Sequence, residues 1–167
     1  DFENLITEKT KGILICNPNN PTGYVYSRDE IKTLVEIVKK HNLFLIADEV
    51  YREFTYENAC HTSILEFCEI QENAIVIDSV SKRYSMCGAR IGCIISKNAE
   101  FISTAMKFAQ ARLSPPTLAQ IASTAAMDVG EEYFESVINE YDERRKTLIK
   151  GLNEIPGVKV SIPNGAF

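Results

Sequence analysis

The stretch "GILICNPNNPTGYVYSRDEIKTLVEIVKKHNLFLIADEVY", Gly12 to Tyr51, decides the fold. It opens with the apolar run "GILIC", Gly12–Cys16, short enough to be a buried strand. "NPNNPTG", Asn17–Gly23, follows, and its prolines and asparagines set a turn. Ser27 and Glu30 then stand at capping-box spacing. Ile31, Leu34, Val35 and Val38 fall at i, i+3, i+4 and i+7, one apolar stripe of a helix. Lys39, Lys40 and His41 close it with cations that suit the negative end of the helix dipole. "LFLIA", Leu43–Ala47, is a second strand. Strand, helix and strand at this spacing make a βαβ unit, so the two strands run parallel. Their near-continuous apolar character fits strands covered on both faces.

Working outward, a looser region from Asp48 to Asn73 leads to a third strand, "AIVID", Ala74–Asp78. A fourth, "GCIIS", Gly92–Ser96, comes only about a dozen residues later, barely room for a parallel crossover, so an antiparallel strand is expected. Helical patterns run from Asn98 to Leu113, from the prolines of "SPPTLAQ", and from Glu131 with Phe134, Val137, Ile138 and Tyr141 on one side. The methionines and aromatic residues of these helices read as core. "VKVSI", Val158–Ile162, reads as a further strand after a Pro-Gly break. The expected class is α/β: a three-layer α/β/α arrangement around a mostly parallel sheet with one antiparallel strand. No internal repeat is present.

The 167 residues, 45% hydrophobic, are enough for one packed core. A net charge of −5 argues against a broad nucleic-acid footprint, which needs a basic face, but leaves room for a local anion pocket. No run of residues reads as a membrane span or signal peptide. Cys16, Cys60, Cys68, Cys87 and Cys93 are odd in number and form no CxxC pair, so they read as reduced, buried thiols of a cytoplasmic protein. His41 and His61 are isolated in the sequence, which disfavours a histidine metal site.

In open parallel sheets ligands gather beyond the carboxyl ends of the strands. Here those ends deliver Asn17–Asn20, then "DEVY" at Asp48–Tyr51, then "DSVSK" at Asp78–Lys82. The amine of Lys82 is a nucleophile that forms a Schiff base with an aldehyde. Asp48 can sit under a protonated heteroaromatic nitrogen. Ser79 and Arg90 can grip a phosphate, the guanidinium supplying a planar fork of donors. Asn20 and Tyr51 can donate to a phenolic oxygen. Together these groups describe a pocket for pyridoxal 5′-phosphate, whose ring is an electron sink.

"NPNNPTG", "DEVY" and "SVSKRYSMCGARIG" (Ser79–Gly92), in this order, closely resemble the aspartate-aminotransferase family of pyridoxal-phosphate enzymes, and the likeness continues through "SPPTLAQ" to "PNGAF". The resemblance implies the large domain of that fold, with residues 1–156 part of it and 157–167 starting a smaller C-terminal domain. It implies Lys82 as the Schiff-base lysine, Asp48 under the pyridinium nitrogen, Asn20 and Tyr51 on the O3′ oxygen, and Ser79, Ser81 and Arg90 on the phosphate. Ser81 is a position where the family admits other small residues. Ala89 stands where many members carry a bulkier residue. The implied activity is ping-pong transfer of an amino group between an amino acid, aspartate first, and a 2-oxo acid, in a homodimer. The ring-stacking aromatic residue and the arginine for the substrate α-carboxylate have no counterpart here. The chain therefore reads as an internal fragment, inactive by itself.

Rival readings remain at this stage. The same pocket serves carbon–sulfur β-lyases, and a non-catalytic regulatory domain would carry the same cofactor motifs. A phosphate-binding module without pyridoxal phosphate would need a glycine-rich phosphate loop, and none is present. More plainly, Lys82 could be a surface charge, Asp48 a cap, Tyr51 an ordinary half-buried aromatic and Arg90 an ion-pair partner. Glu49, Asp78 and Arg52 read as scaffold.

Overall fold

A computed structural model describes residues 2–166. Its regular elements are β1 (Gly12–Cys16), α1 (Arg28–His41), β2 (Phe44–Asp48), β3 (Ala74–Ser79), the short α2 (Val80–Arg83), β4 (Gly92–Ile95), α3 (Ala99–Arg112), α4 (Thr117–Ala125) and α5 (Glu131–Asn153). The sheet order is β1-β2-β3-β4. β1 pairs with β2 and β2 with β3 in parallel, while β4 runs antiparallel to β3. The short hop from β3 to β4 leaves no room for a crossover helix, and the antiparallel edge is the result.

The α1 helix forms for the reasons its sequence gives. The Ser27 hydroxyl accepts from the Glu30 backbone N–H, and the Glu30 carboxylate accepts from the Ser27 N–H at 2.8 Å. Asn42 ends the helix in the left-handed region, at φ 50°, with its N–H on the Val38 carbonyl. The whole stripe Ile31, Leu34, Val35 and Val38 is buried. It packs on the sheet face made by Ile13 and Ile15 of β1, Leu45 and Ala47 of β2, and Ala74 and Val76 of β3. Ile64, Phe67 and Ile70, from the region after β2, complete this core. Burying one such side chain contributes about 1.5–3 kcal/mol, so this face holds the domain together. On the opposite face α3 sets Phe101 against Phe44 of β2, ring centroids 6.2 Å apart. Helix, sheet and helix thus form three layers.

Three expectations change. Residues 158–162 form no strand; Ile162 is 61% exposed, and the nearest ladder contact is a single bridge between Thr55 and Gly165. The residues after this segment, Asn164 and Gly165, are the ones that hydrogen-bond to the turn after β1. The cysteines are unpaired, but Cys60, Cys68, Cys87 and Cys93 are exposed and Cys16 is half-buried. They sit in loops, in short turns and on the edge strand, outside the packed face. Met106, Phe108, Met127 and Tyr141 are likewise exposed. Among the described residues α3 and α4 bury no side chain fully and α5 buries only Arg145, because the core lies on the α1 side of the sheet.

Candidate functional site

The turn after β1 is built from its own side chains. Asn19 Oδ1 accepts from the Thr22 hydroxyl at 2.7 Å and from the Thr22 N–H at 3.2 Å. The Gly23 N–H reaches the Asn19 carbonyl at 2.9 Å, with Gly23 at φ 67°, a conformation glycine adopts without strain. The turn is clamped from outside by the chain near Gly165, whose N–H donates to the Gly23 carbonyl at 2.8 Å, as Asn164 does at 3.1 Å. Arg145 of α5 fixes that segment in turn. It donates to the Pro163 carbonyl at 2.8 Å, pairs with Glu57 and Asp142, and lies over the Tyr56 ring at 4.8 Å.

This turn holds Asn20 beside the end of β2. Asn20 Nδ2 donates to the Tyr51 hydroxyl at 3.2 Å. Tyr51 is buried, and the Lys82 amine stands over its ring, 5.6 Å from the centroid. Asp48 closes β2 in register with Cys16, and its carboxylate accepts from the Val50 N–H at 3.2 Å. After β3, Ser79 caps α2: its Oγ accepts from the Ser81 N–H at 3.0 Å, 2.7 Å from Ser81 Oγ and 2.9 Å from the Ile91 carbonyl.

These pieces meet in one cleft of about 540 Å³ at the carboxyl ends of β1, β2 and β3. Asn20, Asp48, Tyr51, Ser79, Ser81 and Lys82 all line it, with Cys16, Val50, Ile77 and Asp78. Arg90 does not line this cleft. It lies on the adjoining groove, which shares Ser79 and Ser81, and its guanidinium donates to the Cys87 carbonyl at 2.9 Å. Arg90 takes φ 56°, so the backbone there is held in the left-handed region.

Charge is organised behind the cleft. Asp78, buried, pairs with Arg52 at 3.0 Å and Arg83 at 2.9 Å, and both arginines reach Glu53. The acids Glu53 and Asp78 hold the Arg83 guanidinium above its ordinary pKa, against a burial that pulls the other way. Burial is the first cause that lifts the Cys16 thiol above its usual range, and the nearby Asp48 charge adds to it. Cys16 and Val50 were not singled out by sequence. Cys16 becomes visible only once the register places it beside Asp48.

An amine, a carboxylate, an amide–phenol pair and two hydroxyls in one cleft, with a guanidinium on the adjoining groove, suit a flat, charged ring bearing an aldehyde and a phosphate. Comparison with known proteins agrees. The profile of the family "Aminotransferase class I and II" matches residues 1–167. The aspartate aminotransferase of Bacillus sp. strain YM-2 is 38% identical over 168 residues, covering 99% of this chain and 43% of that protein. That of Bacillus subtilis is 36% identical, covering 99% of this chain and 42% of its own length. The crystal structure of an aromatic aminotransferase from Pyrococcus horikoshii superposes with a TM-score of 0.93 at 33% identity, over 99% of this chain and 45% of that one. The chain thus spans less than half the length of these relatives. Cofactor-site chemistry, fold and family profile converge, and the chain belongs to the class I and II aminotransferases, a pyridoxal-phosphate-dependent family.

Proposed function

We propose that the whole protein transfers an amino group from aspartate to a 2-oxo acid in two ping-pong half-reactions, through a Schiff base on Lys82. The observation that carries this reading is the meeting of Lys82, Asp48, Asn20 and Tyr51 in one cleft from three strand ends. Aspartate as donor is supported by the names of the Bacillus relatives.

When bound, pyridoxal phosphate supplies an aldehyde carbon that exchanges amines and a ring that takes up an electron pair. The chain's own residues do the rest. Lys82 would hold the aldehyde carbon through its amine, and the freed amine would carry the proton between the substrate Cα and the cofactor. Asp48, which accepts from the Val50 N–H, would pair with the pyridine nitrogen and favour its protonated form. Asn20 and Tyr51, already bonded to each other, hold the O3′ oxygen. Ser79 and Ser81 would hold the phosphate with their paired hydroxyls, and Arg90, on the adjoining groove, would add its guanidinium.

We also assign the whole protein as a cytoplasmic homodimer. Free cysteines fit a reducing compartment, and Phe108, Leu113 and Leu118, each more than 70% exposed, give a second copy apolar surface to cover. No helix among the described residues is long and apolar enough to cross a membrane. The test is turnover of the full-length protein with aspartate and 2-oxoglutarate, run beside cystathionine cleavage. Amino transfer that requires Lys82 supports the reading. Cleavage without transfer, or turnover that survives loss of Lys82, overturns it.

A further inference from the structure

Directly after Asp48 the chain buries a carboxylate completely. Glu49 has no exposed surface. Its Oε1 accepts from the Ser63 hydroxyl at 3.0 Å and the Ile64 N–H at 3.0 Å. Its Oε2 lies 3.1 Å from His61 Nε2. The other ring nitrogen, Nδ1, is 3.4 Å from Asn17 Nδ2. Asn17, 1% exposed, is the first residue of the turn that carries Asn20.

The orientation of the Asn17 amide is not free. Its Oδ1 accepts from the Tyr26 backbone N–H at 3.0 Å, so its Nδ2 is the atom that faces His61. An amide nitrogen only donates, so His61 Nδ1 must accept. Nε2 is then the ring nitrogen that donates to Glu49. The Asn17 N–H also donates to the Asp48 carbonyl at 3.0 Å, so this chain of contacts joins the ends of β1 and β2 where both enter the cleft.

We propose that His61 is a positioning residue for the cofactor cleft. Its Nδ1 receives the Asn17 amide and, through Asn17, steadies the turn that presents Asn20. The inference rests on the pyridoxal-phosphate reading for its consequence, but not for its geometry.

Two conservative variants separate the two ends of the ring. His61→Gln keeps a donor for Glu49 and loses the acceptor for Asn17. His61→Asn keeps an acceptor near the Nδ1 position and loses the donor. The full-length protein and both variants are compared by amide hydrogen exchange over residues 17–26 without cofactor, and by pyridoxal-phosphate affinity. Loss of one buried hydrogen bond, about 1 kcal/mol, corresponds to roughly fivefold. His61→Gln is expected to speed exchange of residues 17–26, Tyr26 included, and to weaken cofactor binding by about that factor, while His61→Asn stays near wild type in both. Wild-type exchange and affinity in His61→Gln overturn the proposal. So does equal loosening in both variants, which would make the Glu49 pair a purely structural contact. Faster exchange in His61→Gln, in a protein whose wild type takes up no pyridoxal phosphate, leaves the Asn17 link standing and removes the proposed function instead.

Discussion

Asn20 donates to the Tyr51 hydroxyl at 3.2 Å across 31 residues of sequence. The bond ties the loop after β1 to the loop after β2, so both groups are oriented before any ligand arrives. Tyr51→Phe keeps the buried ring and removes the acceptor from Asn20. A hydrogen bond of this kind is worth about 1 kcal/mol, so pyridoxal-phosphate affinity should fall by roughly fivefold with little change in unfolding midpoint. A cofactor titration by absorbance reads this. Unchanged affinity would take Tyr51 out of the binding set.

Lys82 lies over the same ring, and a cation there could be held for its charge alone. Lys82→Arg separates charge from nucleophilicity, because a guanidinium keeps the positive charge and does not deprotonate in proteins. Both Lys82→Arg and Lys82→Ala should lose amino transfer by more than about 10²–10⁴-fold, the contribution of a positioned proton carrier alone. Steady-state kinetics with aspartate measures it. Substantial turnover in Lys82→Arg would show that only the charge matters.

At the start of α1 the Tyr24 hydroxyl donates to the Glu30 carboxylate, which also accepts from Ser27. Tyr24 first, and Ser27 after it, hold the Glu30 carboxyl below its ordinary value of 4.5. The same bond raises the Tyr24 phenol above 10. A lowered carboxyl contributes stability that is present above about 4.5 and lost as pH falls through the folded value. A raised phenol contributes stability that is present below about 10 and lost as pH rises through its folded value. Tyr24→Phe should therefore flatten both limbs of a urea-midpoint profile. The pair is exposed, so the effect is small. Part of the acid limb stays, since Arg28 separately holds Glu66 low. Identical limbs in wild type and Tyr24→Phe would show that the bond does not persist in solution.

Much of the frame was legible because local rules and tertiary packing agree there. The Ser27–Glu30 box fixes a helix start, the Ile31–Val38 stripe a helical period, and the strand runs are too short and too apolar for anything but buried strands flanking that helix. The strand-end polar groups were legible for the same reason, since parallel strands must deliver them to one edge. Residues 158–162 show where this fails. Val158, Val160 and Ile162 alternate like a strand, yet residue period says nothing about whether a sheet edge is within reach, and only the residues after them, Pro163 to Gly165, are bonded to Gly23, Tyr56 and Arg145. Glu49 and His61 show the other gap. They lie 12 residues apart, with no spacing rule linking them, and only the packing of the 61–64 segment beneath β2 brings ring and carboxylate together. Exposure of the cysteines was equally invisible, because residue type gives only an average tendency.

The seat of Gly165 yields the last prediction. An added Cβ there would lie 2.8 Å from Pro18 Cβ, 3.1 Å from Val25 Cγ2 and 3.2 Å from the Gly23 carbonyl. The first distance requires movement, and two of the three neighbours, Pro18 and Gly23, belong to the turn that carries Asn20. Two responses are available. The turn shifts, which displaces Asn20 from Tyr51, or the 163–165 segment lifts, which breaks its bonds to Gly23 and strains the Arg145 contact with Pro163. Overpacking of this kind costs about 1–3 kcal/mol. Gly165→Ala should lower the urea midpoint accordingly, and the two responses differ in what else they change. A shifted turn weakens pyridoxal phosphate binding, whereas a lifted segment leaves affinity intact and makes a second substitution, Arg145→Ala, less costly than it is in the wild type. A Gly165→Ala protein with wild-type midpoint and affinity would mean that the segment does not rest on the turn in solution.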